Sequence, residues 1–275
     1  MIARPGAGNR RVVAGLALLA LLFSLVSFGP LVSPWGWDDT DFAAFRQGPS
    51  ATHWLGTTQS GRDVFALTLR GARKSLLIGV FVAVISTGLA AVVGTAAGYA
   101  GGRVDRILMR GVDLLLVLPP LLIVVVLAPR ISGGVPVLVA LLAAFMWMVT
   151  ARMVRAMTVS LREREYVLAA RFLGVSAPRV IVRHVLPQLA SLLAVDASLN
   201  VSVAIIAESG LSYLGLGVRP PDVSLGTLIA DGHGAAAVRP WPFGFAAGLL
   251  VLIVLAVNLL GDGLRDVLDP TGDGR

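Results

Sequence analysis

Arg162-Glu163-Arg164-Glu165-Tyr166-Val167-Leu168-Ala169-Ala170-Arg171-Phe172-Leu173-Gly174, followed by Leu186-Pro187, is a polar island between two long apolar runs. Its spacing predicts a short helix closed by Gly174, because glycine reaches the left-handed conformation of a helix end without a clash from Cβ. Ala169 and Ala170 would give that helix a small, smooth patch that a partner's groove could receive closely. Ser176 is placed to cap a second helix, with Pro178 tolerated in its first turn, running past Arg179 and Arg183 to Pro187. A charged loop that merely anchors its flanking helices would account for the arginines. It would not account for two helix signals in so short a segment, nor for the Ala-Ala-x-x-x-Gly spacing.

Composition says where such an island sits. Of 275 residues, 56% are hydrophobic and 14% charged, and the mean hydropathy is +0.83. Ordinary soluble domains are about a quarter charged, so the expectation is an all-α integral membrane protein. There is no cysteine, which excludes a disulfide framework, a thiol nucleophile and a thiolate metal site. The net charge of +7 could suit a nucleic-acid binder, but the cations fall in short loops between apolar runs. Membrane topology explains them better, so membrane lipid is an expected partner and nucleic acid is not.

The apolar runs are Val12 to Val32, Leu76 to Tyr99, Val112 to Leu127, Val135 to Val149, Leu189 to Ala207 and Phe243 to Leu260. A helix needs about 20 residues to cross the hydrocarbon, so two of these runs are short unless their flanks join in. Arg4, Arg10 and Arg11 precede the first run, which is longer than a signal-peptide core, and Gly29-Pro30 lacks a small-x-small cleavage pattern. It reads as an uncleaved first span. Arginines concentrate in the short loops around Arg106 and Arg171, which places those loops and both termini in the cytoplasm. Arg70, Arg73 and Lys74 run against that orientation.

Ala169-Ala170, three residues, Gly174, then Leu186-Pro187 resembles the "EAA" loop of bacterial ABC importer permeases: Glu-Ala-Ala, three residues, Gly, nine residues, Ile, one residue, Leu-Pro. The chain departs from it with Leu168 at the Glu position and His184 at the Ile position, and a carboxylate stands one turn earlier at Glu165. His53-Trp54-Leu55-Gly56-Thr57, Gly61-Arg62-Asp63 and Gly71-Ala72-Arg73-Lys74-Ser75-Leu76 resemble the external segment of the peptide and nickel branch of these permeases. Glu208 to Gly217, Pro220-Pro221 and Ser224-Leu225-Gly226 resemble that branch's region between the fifth and sixth spans, where their glycines and prolines can make a tight external re-entry, and Asn258 to Asp269-Pro270 is similar to its ending.

The resemblance implies the type I ABC importer permease fold, with six transmembrane helices and a cytoplasmic coupling helix, in a cell membrane. Its divisions would be a tail and first span (1–33), an extracytoplasmic segment (34–75), a five-helix core (76–270) with coupling loop 152–188, and a tail (271–275). Docking of an ATP-binding subunit would fall on Glu165, Leu168, Ala169, Ala170, Gly174, Leu186 and Pro187. The implied partners are a homologous second permease, one or two ATP-binding subunits and an extracytoplasmic substrate-binding protein, with ATP and Mg held by partners and no cofactor here. The implied cargo is a di- or oligopeptide, with nickel or another metal chelate as the alternative.

Polar groups inside the runs carry further expectations. Gly94 and Gly98 form a G-x-x-x-G pattern that lets another helix approach closely. Pro119-Pro120 should kink or break the third span. Asp196, Asn200 and Glu208 recur at multiples of four, near Ser198 and Ser202, on one slowly drifting stripe. Such residues are costly in a bilayer and face a bundle interior, a cavity or a partner. They read equally as a lining for the translocation path or as a hydrogen-bonded structural contact. A stand-alone proton-coupled carrier using Asp196 or Glu208 would be expected to show inverted repeats, and none is visible.

No catalytic or metal constellation emerges. The only lysine, Lys74, precedes Ser75, but Arg73 occupies the glycine position that a phosphate-binding loop needs. His53, His184 and His233 are scattered, and His53 reads as a surface or packing residue rather than a metal ligand.

Overall fold

A computed structural model describes residues 7–128, 130 and 133–268. The expectations for Arg4, for Asp269-Pro270 and for the 271–275 tail fall outside them. Eleven helices are described: α1 (Ala7–Val32), α2 (Val64–Ala100), α3 (Gly102–Val117), α4 (Pro120–Leu127), α5 (Gly134–Met146), α6 (Met148–Leu161), α7 (Glu165–Phe172), α8 (Ala177–Val180), α9 (Leu186–Tyr213), α10 (Leu225–His233) and α11 (Trp241–Leu268). A π-helical turn, Ile181–Val185, joins α8 to α9. Among the described residues the only β pairing is an isolated bridge between Thr57 and Asp63.

Four continuous helical segments are long and apolar enough to cross a membrane: Arg10–Val32, Val64–Ala100, Ala177–Tyr213 and Trp241–Leu268. Two helix pairs reach that length only together, α3 with α4 across a 74° bend and α5 with α6 across a 44° bend. The first bend falls where the sequence places it. Pro119 has extended backbone before α4 and Pro120 opens that helix, since neither can donate to the preceding turn.

α2 is the post around which the rest is arranged. One apolar cluster joins it to α1, α9, α10 and α11, and a second joins it to α4, α5 and α9. It begins at Val64 rather than Leu76, because Asp63 caps it, Oδ1 accepting the Ala66 N–H at 2.9 Å. The charges of Arg70, Arg73 and Lys74 interrupt the hydropathy, not the helix. Lys74 pairs with Asp222 at 2.9 Å, and the Arg70 guanidinium lies 4.9 Å from the centroid of the Trp37 ring. At about 1.5 Å per residue α2 is roughly 55 Å long, against a hydrocarbon layer of about 30 Å. Its first turns therefore stand clear of that layer, which accommodates the basic cluster that ran against the charge bias.

Gly94 and Gly98 do what their spacing suggests. A Cβ on Gly94 would lie 2.6 Å from the Ala151 carbonyl oxygen, and one on Gly98 would lie 2.7 Å from that of Arg155. α6 thus runs directly on the backbone of α2.

The helix expected to stop at Pro187 does not stop there. The Leu186 N–H donates to the Ile181 carbonyl across a wide π turn, Pro187 sits in the first turn of α9, and the helix continues to Tyr213. The widened turn lets a residue without an N–H enter a continuous helix. Ser176 stands at the start of α8, but its side chain makes no capping bond; its carbonyl accepts the Val180 N–H instead. Glu208 to Tyr213, expected in the external segment between the last two spans, belong to α9, and the loop begins at Leu214.

Candidate functional site

α7 lies at one end of the bundle and is fastened on its inner side. Its C-terminus closes with the Gly174 N–H on the Arg171 carbonyl at 3.0 Å and the Val175 N–H on the Ala170 carbonyl at 3.1 Å, with Gly174 at φ 78°. This is a Schellman closure, and glycine serves because its φ is positive. Val167, Ala170 and Val180 are buried in one cluster against Tyr99 and Val175, and the Arg171 guanidinium lies 5.8 Å from the centroid of the Tyr99 ring. The Arg162 side chain donates to the Gly98 carbonyl at 3.0 Å, so the chain entering α7 is also held to α2.

The outer side of α7 is bare. Glu165, Ala169 and Phe172 recur at helical spacing on it, and Phe172 and Leu173 are 88% and 84% exposed. Ala169 and Ala170 do not form one patch, because neighbours on a helix point about 100° apart: Ala169 faces out and Ala170 faces the bundle. Leu168 and Leu186 are half-buried, and Pro187 and Gly174 are exposed. His184, at the consensus Ile position, lies beside Tyr166 with ring centroids 6.3 Å apart. The sequence reading missed Phe172 and Leu173 as surface features. Two large apolar residues directly before the closing glycine of a polar island were the available signal.

The acidic stripe of α9 divides into two hydrogen-bonded knots. Asp196 accepts from Thr150 on α6 at 2.8 Å, from Thr87 on α2 at 3.2 Å and from Asn200 at 2.8 Å. Glu208 is fully buried and accepts from Ser75 at 2.8 Å and Ser212 at 2.6 Å. The two serines are themselves acceptors, from the Leu225 and Val218 N–H groups. Their hydroxyl hydrogens are therefore directed at Glu208, whose oxygens accept them and form no salt bridge among the described residues. Thr150 flanks a short apolar run and so had to meet an interface or a neighbouring helix, whereas Ser75, Thr87 and Ser212 gave no signal of their contacts.

The opposite end carries a cap, residues 33–63, built on His53. That ring is 1% exposed, lies against Trp35 with centroids 4.7 Å apart, and places Nδ1 2.9 Å from Asp63 and Nε2 3.4 Å from Asp41. The Trp241 indole N–H donates to the Thr57 carbonyl at 3.3 Å and ties the cap to α11. Between cap, α10 and the loop after α9 opens a cleft of about 1070 Å³, with Arg46, Arg62, Arg219 and Arg239 on its walls beside Asp38 and Asp231. Among the described residues, no three His, Asp or Glu side chains converge as a metal site would require.

Four apolar helices of spanning length, two bent apolar helix pairs and acids held inside the bundle define a multi-pass membrane protein. The chain belongs to the family described as binding-protein-dependent transport system inner membrane component, which matches residues 88–271. It is 56% identical over 272 residues to the oligopeptide transport system permease protein OppC of Mycobacterium tuberculosis, covering 98% of this chain and 94% of that one. The protein of the same name from Bacillus subtilis is 37% identical over 262 residues, covering 95% and 86%.

Proposed function

We propose that this chain is a permease subunit of an ATP-driven importer for di- or oligopeptides. Each bent pair counts as one span, giving six, with both termini, the α6–α7 turn and α8 on the cytoplasmic side and the cap outside. It pairs with a homologous second permease, receives cargo from an extracytoplasmic binding protein, and leaves ATP and Mg to motor subunits; no group of this chain does chemistry. α7 is the coupling helix. The observation that carries the reading is its two-sidedness: an inner face clamped to α2 and α8, and an outer face ending in the bare Phe172-Leu173 pair.

Motor closure would push on this outer face and move α6 and α9, switching the path between outward-facing and inward-facing states. The half-buried Asp196 and Asn200 would then stand at the path, while Glu208 holds the gate's frame. Peptide cargo is supported by the names of the relatives, and nickel or a metal chelate is not favoured by them. A proton-coupled carrier is also disfavoured, since Glu208 is fully buried in a fixed set of serine donors.

The test is co-purification with the motor subunit and peptide uptake in proteoliposomes, with Phe172→Ser and Leu173→Ser combined. Loss of the motor subunit and of ATP-driven uptake, with the chain still membrane-inserted, is the expected result. Unchanged uptake would remove α7 from the coupling role.

A further inference from the structure

Where α3 meets α4, the break in the third span leaves backbone acceptors bare. Pro119 and Pro120 have no N–H, so the carbonyls of Leu115 and Leu116 lose the donors four residues on. Leu115 recovers one from the Leu118 N–H at 3.3 Å, and the Pro119 carbonyl takes the N–H groups of Leu122 and Ile123. The carbonyls of Leu116, Val117 and Leu118 accept no hydrogen bond among the described residues. Nor does this chain cover the place: Val117 is 79% and Leu122 62% exposed.

Two rulers set the depth of this elbow. Sixteen residues of α3 separate the elbow by about 24 Å of helix from the turn at its foot, at about 1.5 Å per residue. From the other side, Val124 of α4 lies in one cluster with Ile78 and Val82, near the middle of α2. With α3 and α4 counted as one span, as proposed above, the elbow between them falls inside the apolar layer. Lipid therefore cannot be its neighbour, because irregular backbone at membrane depth survives only against protein or in a water-filled cavity. A partner's helix is a poor cover as well, since its backbone N–H groups are spent within the helix. An extended peptide carries N–H groups with no internal partner, and it matches three successive free acceptors.

We propose that the α3–α4 elbow is a ledge in the translocation path, where the carbonyls of Leu116, Val117 and Leu118 accept hydrogen bonds from the main chain of extended peptide cargo. Water occupies the ledge between passages. α4 is PLLIVVVL, without a polar side chain, so the ledge reads the feature every peptide shares and imposes no side-chain preference. This rests on the peptide-importer reading above.

The absence of cysteine makes the test direct. Single variants Val117→Cys and Leu121→Cys are compared with Phe23→Cys, on the 67% exposed outward side of α1, in the full complex with its binding protein in proteoliposomes. A membrane-impermeant thiol reagent is applied and its attachment to this chain is read by mass spectrometry. The elbow cysteines should react on the order of tenfold faster than Phe23→Cys, as a wet site among apolar spans requires. Tri-alanine under turnover should slow the reaction, and tri-alanine methylated on its backbone nitrogens should not. Labelling as slow as at Phe23→Cys would mean a covered elbow and overturn the proposal. So would labelling that tri-alanine leaves unchanged, or that both peptides slow equally. Failure of the unmodified complex to take up tri-alanine with ATP would instead remove the importer reading, and the ledge with it.

Discussion

Ser75 of α2 donates its hydroxyl hydrogen to the buried Glu208 of α9 at 2.8 Å and accepts the backbone N–H of Leu225 at the start of α10, so one small side chain joins three helices. Glu208→Leu removes the common acceptor and strands the hydroxyls of Ser75 and Ser212. A buried unsatisfied polar group costs about 1–3 kcal/mol. Thermal unfolding of the purified complex should show a clear loss of midpoint for Glu208→Leu and a smaller one for Ser75→Ala. The double variant should fall little below Glu208→Leu, because both changes break the same network.

Gly94 tests the contact between α2 and α6. Gly94→Val would place Cβ 2.6 Å from the Ala151 oxygen and 2.7 Å from the Val154 side chain. Overpacking of this kind costs about 1–3 kcal/mol, here by pushing α2 and α6 apart. Gly88→Ala, on the same helix with nothing within 4 Å of the added carbon, should be neutral. Detergent stability of the two variants, measured side by side, separates the close approach from a general intolerance of α2.

At Gly174 the constraint is conformational, since a Cβ there meets nothing within 4 Å while φ is 78°. A β-branched residue in the left-handed region costs about 1–2 kcal/mol or more. Gly174→Val should open the end of α7 and abolish uptake while leaving the chain in the membrane. Gly174→Asn, which tolerates that region, should retain much of the activity. Equal activity of the two variants would show that the closure of α7 is not needed for transport.

His53→Phe keeps a ring against Trp35 but removes both contacts to carboxylates. Asp63 and Asp41 lose their shared partner, and the cap should loosen while the spans hold. Limited proteolysis of sealed vesicles should cut near Arg46 or Arg62 faster in the variant, with unchanged thermal unfolding of the membrane region.

Much of this architecture was legible because apolar length, proline and glycine act locally. Pro119-Pro120 marks the 74° elbow, Gly94 and Gly98 mark the contact with α6, and Gly174 marks the end of α7. What escaped the sequence depended on partners distant in the chain. The early start of α2 was hidden by Arg70 and Lys74, whose charges are met by Trp37 and by Asp222. The π turn was hidden because Pro187 reads as a terminator until the register before it widens. Asp196 and Glu208 shared a stripe on paper, yet each is held by hydroxyls from other helices that no periodicity reveals.

The π turn before Pro187 also sets the mechanical gearing of the molecule. Because it splices α8 into α9 without a break, Ala177–Tyr213 is one rod of 37 residues, about 55 Å long at about 1.5 Å per residue. A tilt of about 5° at the foot of such a rod sweeps its tip through about 5 Å, roughly the width of one extended chain in a sheet. The tip carries Glu208 and the loop that follows Tyr213, so a modest stroke at α7, in the coupling role proposed for it, would arrive at the far end as a displacement about as wide as one extended peptide.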